Sequence, residues 1–235
     1  SKVMIAAHMD EIGLIVRRIN DNGTLRFDKV GGIDDRILLS KQVLVGEDAV
    51  PGVIGYRPIH LIPREERDKA VESEKLSIDI GATDKDSAKE LVSVGDYVSF
   101  RTSFETLDNE LRTVKGKAFD DRAGCAVLVE LLKEEYDLDI HAAFTTQEEV
   151  GLRGARVASY SIDPDVAFVL EGTICDDLPK KKDTSPVTEL GKGPAITFMD
   201  RSFVANRRLV DLLVMTAEQD LAVAVRGVVG DIRLQ

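Results

Sequence analysis

The rhythm of apolar and polar positions changes twice along the chain. Residues 2 to 7 (KVMIAA) form a continuous apolar run with β-forming residues, which predicts a short buried strand. From about Leu14 to about Thr113, short β-type runs alternate with turn residues: LIVRRI, TLRFDKV, QVLV, VPGVIGY, LSIDIGA and DYVSFRT. DNG between the first two is a hairpin signal, and several short strands at close spacing predict a small sandwich or barrel. Within this stretch only Asp86 to Leu91 has helical texture.

Near Lys115 the pattern changes again. Apolar residues at Ala123, Val127, Leu128, Leu131 and Leu132 predict a helix over Asp121 to Tyr136. Ile140 to Thr146, Val166 to Leu170 and Ala195 to Met199 read as buried strands, and Leu209 to Glu218 returns to helical period. Helices alternating with buried strands predict an α/β sheet of largely parallel type. The expected organisation is an α/β domain of residues 1–13 plus 114–235, incomplete at both ends, interrupted by an all-β insertion of residues 14–113. Lys180, Lys181 and Lys182 are expected in a solvated loop.

Composition narrows the function classes. With 31 basic against 42 acidic residues, the net charge is −11. That balance disfavours a nucleic-acid partner, whose affinity comes largely from basic contacts to phosphate. Hydrophobic residues make up 43% of the chain, but Trp is absent, so aliphatic side chains must build the core. No run approaches the ~18 apolar residues of a membrane span, and no signal peptide is visible. Cys125 and Cys175 are too few for a disulfide framework, which makes a reducing cytosol the expected compartment. Cys125, among apolar neighbours, is expected in the core.

Chemistry is expected at the carboxyl ends of the strands, where open α/β sheets bind ligands. His8-Met9-Asp10-Glu11 follows the first strand, Glu148-Glu149 follows IHAAFTTQ, and Glu171 follows VAFVL. Asp120 and Asp121 stand at the start of the first long helix. Taken singly, each has a plain structural explanation; an Asp pair before a helix, for example, serves as an N-cap. Together, in this order, they supply the imidazole and carboxylate donors that zinc-like ions take. Two such ions need a bridging carboxylate, and the attacking water needs a non-ligand Glu as general base. Asp10, two residues after His8, is placed to orient the imidazole.

The segments AHMDEIG (Ala7–Gly13), AFDDRAG (Ala118–Gly124), TQEEVGLRGA (Thr146–Ala155) and FMDRS (Phe198–Ser202) resemble the tetrahedral, or TET-type, aminopeptidases. That family of dinuclear metallopeptidases includes the glutamyl aminopeptidases, and some members are labelled endoglucanases. The resemblance covers nearly the whole chain, including VPGVIGYRPIHLI (Val50–Ile62). It implies an α/β fold in which a mixed sheet is flanked by helices, as in zinc exopeptidases, with an inserted barrel-like β domain used in oligomer contacts. It also implies a cytosolic peptidase with two divalent ions, Zn or Co, assembled from dimers into a tetrahedral dodecamer. Carried over by motif, His8 binds one metal and Asp10 orients it. Asp120 bridges both ions, the Asp120–Asp121 peptide bond is a candidate for an unusual conformation, Glu148 is the general base, Glu149 binds the second metal and Glu171 completes the first set.

This chain departs from the family pattern at two places. Glu171 stands where the family usually has Asp. The second ligand His, expected after a glycine-rich stretch near the C-terminus, has no counterpart in RGVVGDIRLQ; a truncated chain, missing segments and an incomplete second site all remain open. His60 is expected to pack or lie in an interface, and His141 to sit in the core. The resulting expectation is a metal-dependent aminopeptidase that removes N-terminal residues from peptides with a two-metal-activated water. A metal-dependent carboxypeptidase or deacylase is the alternative, which would need basic residues for a substrate carboxylate, and a catalytically impaired assembly scaffold is the non-enzymatic one.

Overall fold

A computed structural model describes residues 1–108, 113–175, 188, 190–191, 193–220 and 226–229. They fall in two compact units, Ser1–Glu171 and Gly172–Leu234.

The first unit opens with β1 (Lys2–His8) and passes directly into a barrel. Its strands are β2 (Gly13–Ile19), β3 (Leu25–Val30), β4 (Gln42–Val45), β5 (Val50–Gly55), β6 (Ser77–Asp79) and β7 (Tyr97–Phe100), with the short helix α1 (Lys85–Lys89) before β7. The strands close in the order β2-β3-β6-β5-β4-β7, and their pairings are antiparallel. Alternation explains the interior: Leu14 and Val16, Leu25 and Phe27, and Val43 and Val45 each point inward from one strand. Ile19 breaks that parity on β2, and a bulge between Val16 and Arg18 absorbs the extra residue and returns it to the core. The core is aliphatic apart from Phe27, and each fully buried Leu, Ile or Val contributes roughly 1.5–3 kcal/mol.

After the barrel come an antiparallel pair, β8 (Glu105–Asp108) and β9 (Thr113–Lys115), then α2 (Phe119–Leu131), β10 (Asp139–Thr145), α3 (Arg153–Ile162) and β11 (Val166–Val169). β1 is the middle strand of a parallel sheet ordered β10-β1-β11. The register pairs Lys2 with Asp139 and His8 with Thr145, so β1 and β10 end level with each other. Leu170 N–H bonds the Ala6 carbonyl at 2.8 Å, which brings Glu171 to the same rim. Ala158 and Ile162 of α3 pack on Met4, Ala6 and Ala143 of the sheet.

α2 is shorter than its apolar stripe predicts. Beyond Leu132 the chain continues in tight turns, Lys133 N to Glu130 O and Glu134 N to Leu131 O. Lys133, Glu134 and Glu135 offer nothing apolar to bury in a further helical turn. α3 is not among the elements expected from the sequence; the residues it packs on the sheet, Ala158 and Ile162, are two of its ten.

The second unit contains β12 (Ala195–Met199), α4 (Arg207–Asp220) and β13 (Arg226–Val229), with β12 and β13 parallel. The side chain of Asn206 accepts the Arg208 N–H at the start of α4, and Val210 and Ala217 form its buried stripe. Lys180 to Lys182 and residues 230–235 of the tail lie outside the described residues. Among the described residues no helix is long and apolar enough to cross a membrane.

Candidate metal centre

His8 is the last residue of β1 and is 3% exposed. Its Nδ1 lies 3.1 Å from the Asp10 carbonyl and 3.4 Å from Asp10 Oδ1. A proton on Nδ1 that donates to this carbonyl turns the Nε2 lone pair outward. There Nε2 meets three carboxylates: Asp120 Oδ1 at 3.1 Å, Glu171 Oε1 at 3.3 Å and Glu148 Oε2 at 3.8 Å. The backbone around His8 is pinned from the start of α2. Asp121 Oδ2 accepts the His8 N–H at 3.3 Å, Cys125 Sγ donates to the His8 carbonyl at 3.2 Å, and Arg122 Nε donates to the Met9 carbonyl at 3.0 Å. On the other side Met9 N–H bonds the Thr145 carbonyl at 2.8 Å.

Asp120 and Asp121 take non-helical backbone angles at the head of α2, and the peptide bond between them is cis. Their roles diverge. Asp120 faces His8, whereas Asp121 is fully buried and also accepts the Gly124 N–H at 3.1 Å. Asp121 is therefore an anchor for β1 more than a helix cap. The sequence points to Asp121 but not to its anchoring role, nor to those of Arg122 and Cys125, because their partners lie on a distant strand. Cys125 is half-buried and hydrogen-bonded rather than a plain core residue.

Glu148 and Glu149 sit in a tight loop between β10 and α3. Gln147 and Leu152 hold positive φ of 59° and 57°, and the Glu148 carbonyl accepts both Gly151 N and Leu152 N. Gly154 N bonds the Thr146 carbonyl at 3.0 Å; a Cβ at 154 would stand 2.3 Å from that oxygen, so only glycine closes the loop. Asp10 then ties the loop to β1, its Oδ1 and Oδ2 accepting the backbone N–H groups of Glu148 and Glu149 at 3.2 and 3.3 Å. An ion pair between Lys117 and Glu11 joins the turn after His8 to the approach of α2.

The electrostatics are those of an acidic site short of positive charge. Burial, then the charges of Asp120 and Glu148, push Glu149 up to about 7. Burial, then the hydrogen bond that protonated Glu171 donates to Asp120 and the charge of Asp120, push Glu171 up to about 8. Burial also raises Glu148, and His8 opposes that shift. For His8, burial works against protonation, but Glu171 and Glu148 outweigh it and its pKa rises. Several carboxylates competing for protons around one imidazole would be relieved by a cation.

The donor set fits a divalent ion. Ligand atoms of His8, Asp120 and Glu171 lie within 4.8 Å of one another, as do those of His8, Glu148 and Glu149. One imidazole nitrogen with carboxylate oxygens is a zinc-like set, and three protein ligands leave room for water. The other histidines stand apart. His60 lies in an exposed 3-10 turn of Ile59–Leu61, and His141 is half-exposed on β10, with Nε2 3.1 Å from Asp139 Oδ1. No second histidine joins the cluster among the described residues.

Known proteins share this chain's sequence and fold. A lysyl aminopeptidase of Pyrococcus furiosus is 34% identical over 202 residues, which is 83% of this chain and 57% of that protein. The TET aminopeptidase of a marine-sediment Thaumarchaeota archaeon superposes with a TM-score of 0.90 at 38% identity, over 97% of this chain and 65% of the other. The TET1 peptidase of Pyrococcus horikoshii, described as able to form a tetrahedron or a large octahedral shell, gives 0.80 at 36% identity, over 97% and 68%. The chain thus spans about two thirds or less of the length of these relatives. A family match covers residues 1–229, and the chain belongs to the M42 glutamyl aminopeptidase family.

Proposed function

We propose that this chain carries the catalytic centre of a metal-dependent aminopeptidase that removes N-terminal residues from peptides. The observation supporting this most directly is the convergence of Asp120, Glu148 and Glu171 on His8 Nε2 at one sheet rim. In this reading His8, Asp120, Glu149 and Glu171 would hold two divalent ions, Zn or Co. Bound there, the ions would supply Lewis-acid polarisation of the scissile carbonyl and acidify water. Glu148, not needed as a ligand, takes the proton of the attacking water and returns it to the departing amine nitrogen. Asp10 positions the reaction from behind, holding the His8 ring and the Glu148 backbone together. The acidic rim favours a substrate's free α-ammonium group, which accounts for selection of peptide ends.

Residues 14–113 would act as an oligomerisation domain in a tetrahedral dodecamer built from dimers; the Pyrococcus horikoshii relative is described as assembling into a tetrahedron or an octahedral shell. Ile59, Leu61 and Tyr97 of that region are exposed, as a contact surface requires. Two free cysteines suit a cytosolic location. The test is hydrolysis of an aminoacyl-p-nitroanilide panel by metal-free protein, before and after Co²⁺ or Zn²⁺. Metal-restored activity absent on N-blocked substrates is the expected result; equal hydrolysis of blocked substrates would remove the aminopeptidase reading.

A further inference from the structure

A barrel residue reaches the metal centre. Gly31, just after β3, has φ of +87°, and a Cβ at that position would lie 2.7 Å from Ile12 Cγ2, 3.1 Å from Glu149 Oε2 and 3.3 Å from Glu149 Cβ. Ile12 packs against the barrel core and has little freedom to withdraw. The Glu149 backbone is equally held, its N–H bonded to Asp10 Oδ2 at 3.3 Å. A side chain at 31 would therefore press on the one movable part, the Glu149 carboxylate, which in turn belongs to the cluster around His8.

We infer that Gly31 is a positioning residue of the metal centre, its missing side chain fixing where the Glu149 carboxylate stands. The inference rests on Glu149 being a metal ligand. It makes the barrel one wall of the site and predicts that metal occupancy and the order of the Gly31–Gly32 turn depend on each other.

Left-handed backbone alone destabilises any Gly→Ala change, so the test needs matched controls. Gly81 and Gly95 have φ of +80° and +96°, and a Cβ at either meets nothing within 4 Å. Gly31→Ala, Gly81→Ala, Gly95→Ala and Glu149→Gln forms of the full chain would be titrated with Zn²⁺ alone by calorimetry. Gly81→Ala and Gly95→Ala should titrate like the wild type, and Gly31→Ala should weaken the Glu149-dependent step about tenfold or more, the scale of lost support around a ligand. Gly31→Ala matching Gly95→Ala, with Glu149→Gln impaired, overturns the inference alone. Glu149→Gln titrating like the wild type overturns the ligand assignment beneath it. If Gly31→Ala does not fold, amide exchange on the wild type decides: Zn²⁺ should slow exchange at Gly32 and Ile33 more than at Gly95, and equal slowing overturns the inference.

Discussion

Asp10 Oδ1 accepts the backbone N–H of Glu148 at 3.2 Å, joining the ends of two parallel strands that are remote in sequence. The same residue holds His8 through its carbonyl, so one short segment sets both the imidazole and the glutamate loop. Asp10→Ala should lower kcat about 10- to 100-fold, the scale for lost support around a ligand, with a smaller change in KM. Steady-state kinetics on the best p-nitroanilide substrate would show this; an unchanged kcat would leave Asp10 with no part in positioning.

Glu148→Gln keeps the size of the side chain and removes its basicity. Turnover should fall by roughly 10²–10⁴-fold, the usual contribution of a general base. Zn²⁺ affinity, read by calorimetry, should stay close to wild type. Turnover within a few-fold of wild type would assign proton transfer to another group.

Asp121 is fully buried, and its carboxylate serves two backbone donors, on His8 and Gly124. Asp121→Ala strands both, at about 1–3 kcal/mol for each unsatisfied group. Urea unfolding should show a loss of about 2–5 kcal/mol, beyond what an exposed helix cap would cost. A loss below 1 kcal/mol would mean that water replaces the carboxylate.

Metal should stabilise the folded chain by mass action. At a free concentration 100 times Kd, the gain is about 2.7 kcal/mol. Thermal melts should rise on adding Zn²⁺ to chelated protein and fall again with excess chelator. In His8→Ala, which removes the residue common to both candidate sets, the response should largely disappear. A shift as large as that of wild type would place the ion elsewhere.

The barrel carries its own acid sensitivity. A hydrogen bond from Arg36 holds Asp34 down to about 2 from 3.8, and one from Lys29 lowers Asp35. Because the folded pKa is depressed, the stabilisation is fully present above pH 3.8 and is lost as pH falls toward 2. With the Arg36 partner exposed the contribution is small, and melting temperature should fall only slightly more across that window in wild type than in Asp34→Asn. Parallel curves would assign the acid transition to other carboxylates.

Much of this arrangement was legible from residue order. The barrel strands could be read because Leu25 and Phe27, or Leu76 and Ile78, alternate with polar neighbours on a half-buried surface. The site candidates could be read because His8 and Glu171 directly follow apolar runs and Glu148 follows one after Thr145, Thr146 and Gln147. What stayed hidden depends on neighbours brought together by folding. Asp10 looks like a partner for His8 two residues away, yet both oxygens of its carboxylate are hydrogen-bonded to a loop on another strand. Asp121 reads as a helix cap, and only the packing of α2 against β1 turns it into an anchor for His8. α3 is hard to read because its large Val157 and Tyr160 face solvent while the small Ala155 and Ala158 join Ile162 on the covered side.

The circular pairing from β2 round to β7 has a consequence for how copies can meet. An open sheet offers a free rim of N–H and C=O groups on which a neighbouring chain can add a strand. Among the described residues the barrel leaves less of such a rim, since β2 and β7 bond each other. If copies associate through the barrel, as proposed, the contact would run mainly over side chains, and single substitutions on its outer surface could redirect assembly without unpicking the strands beneath.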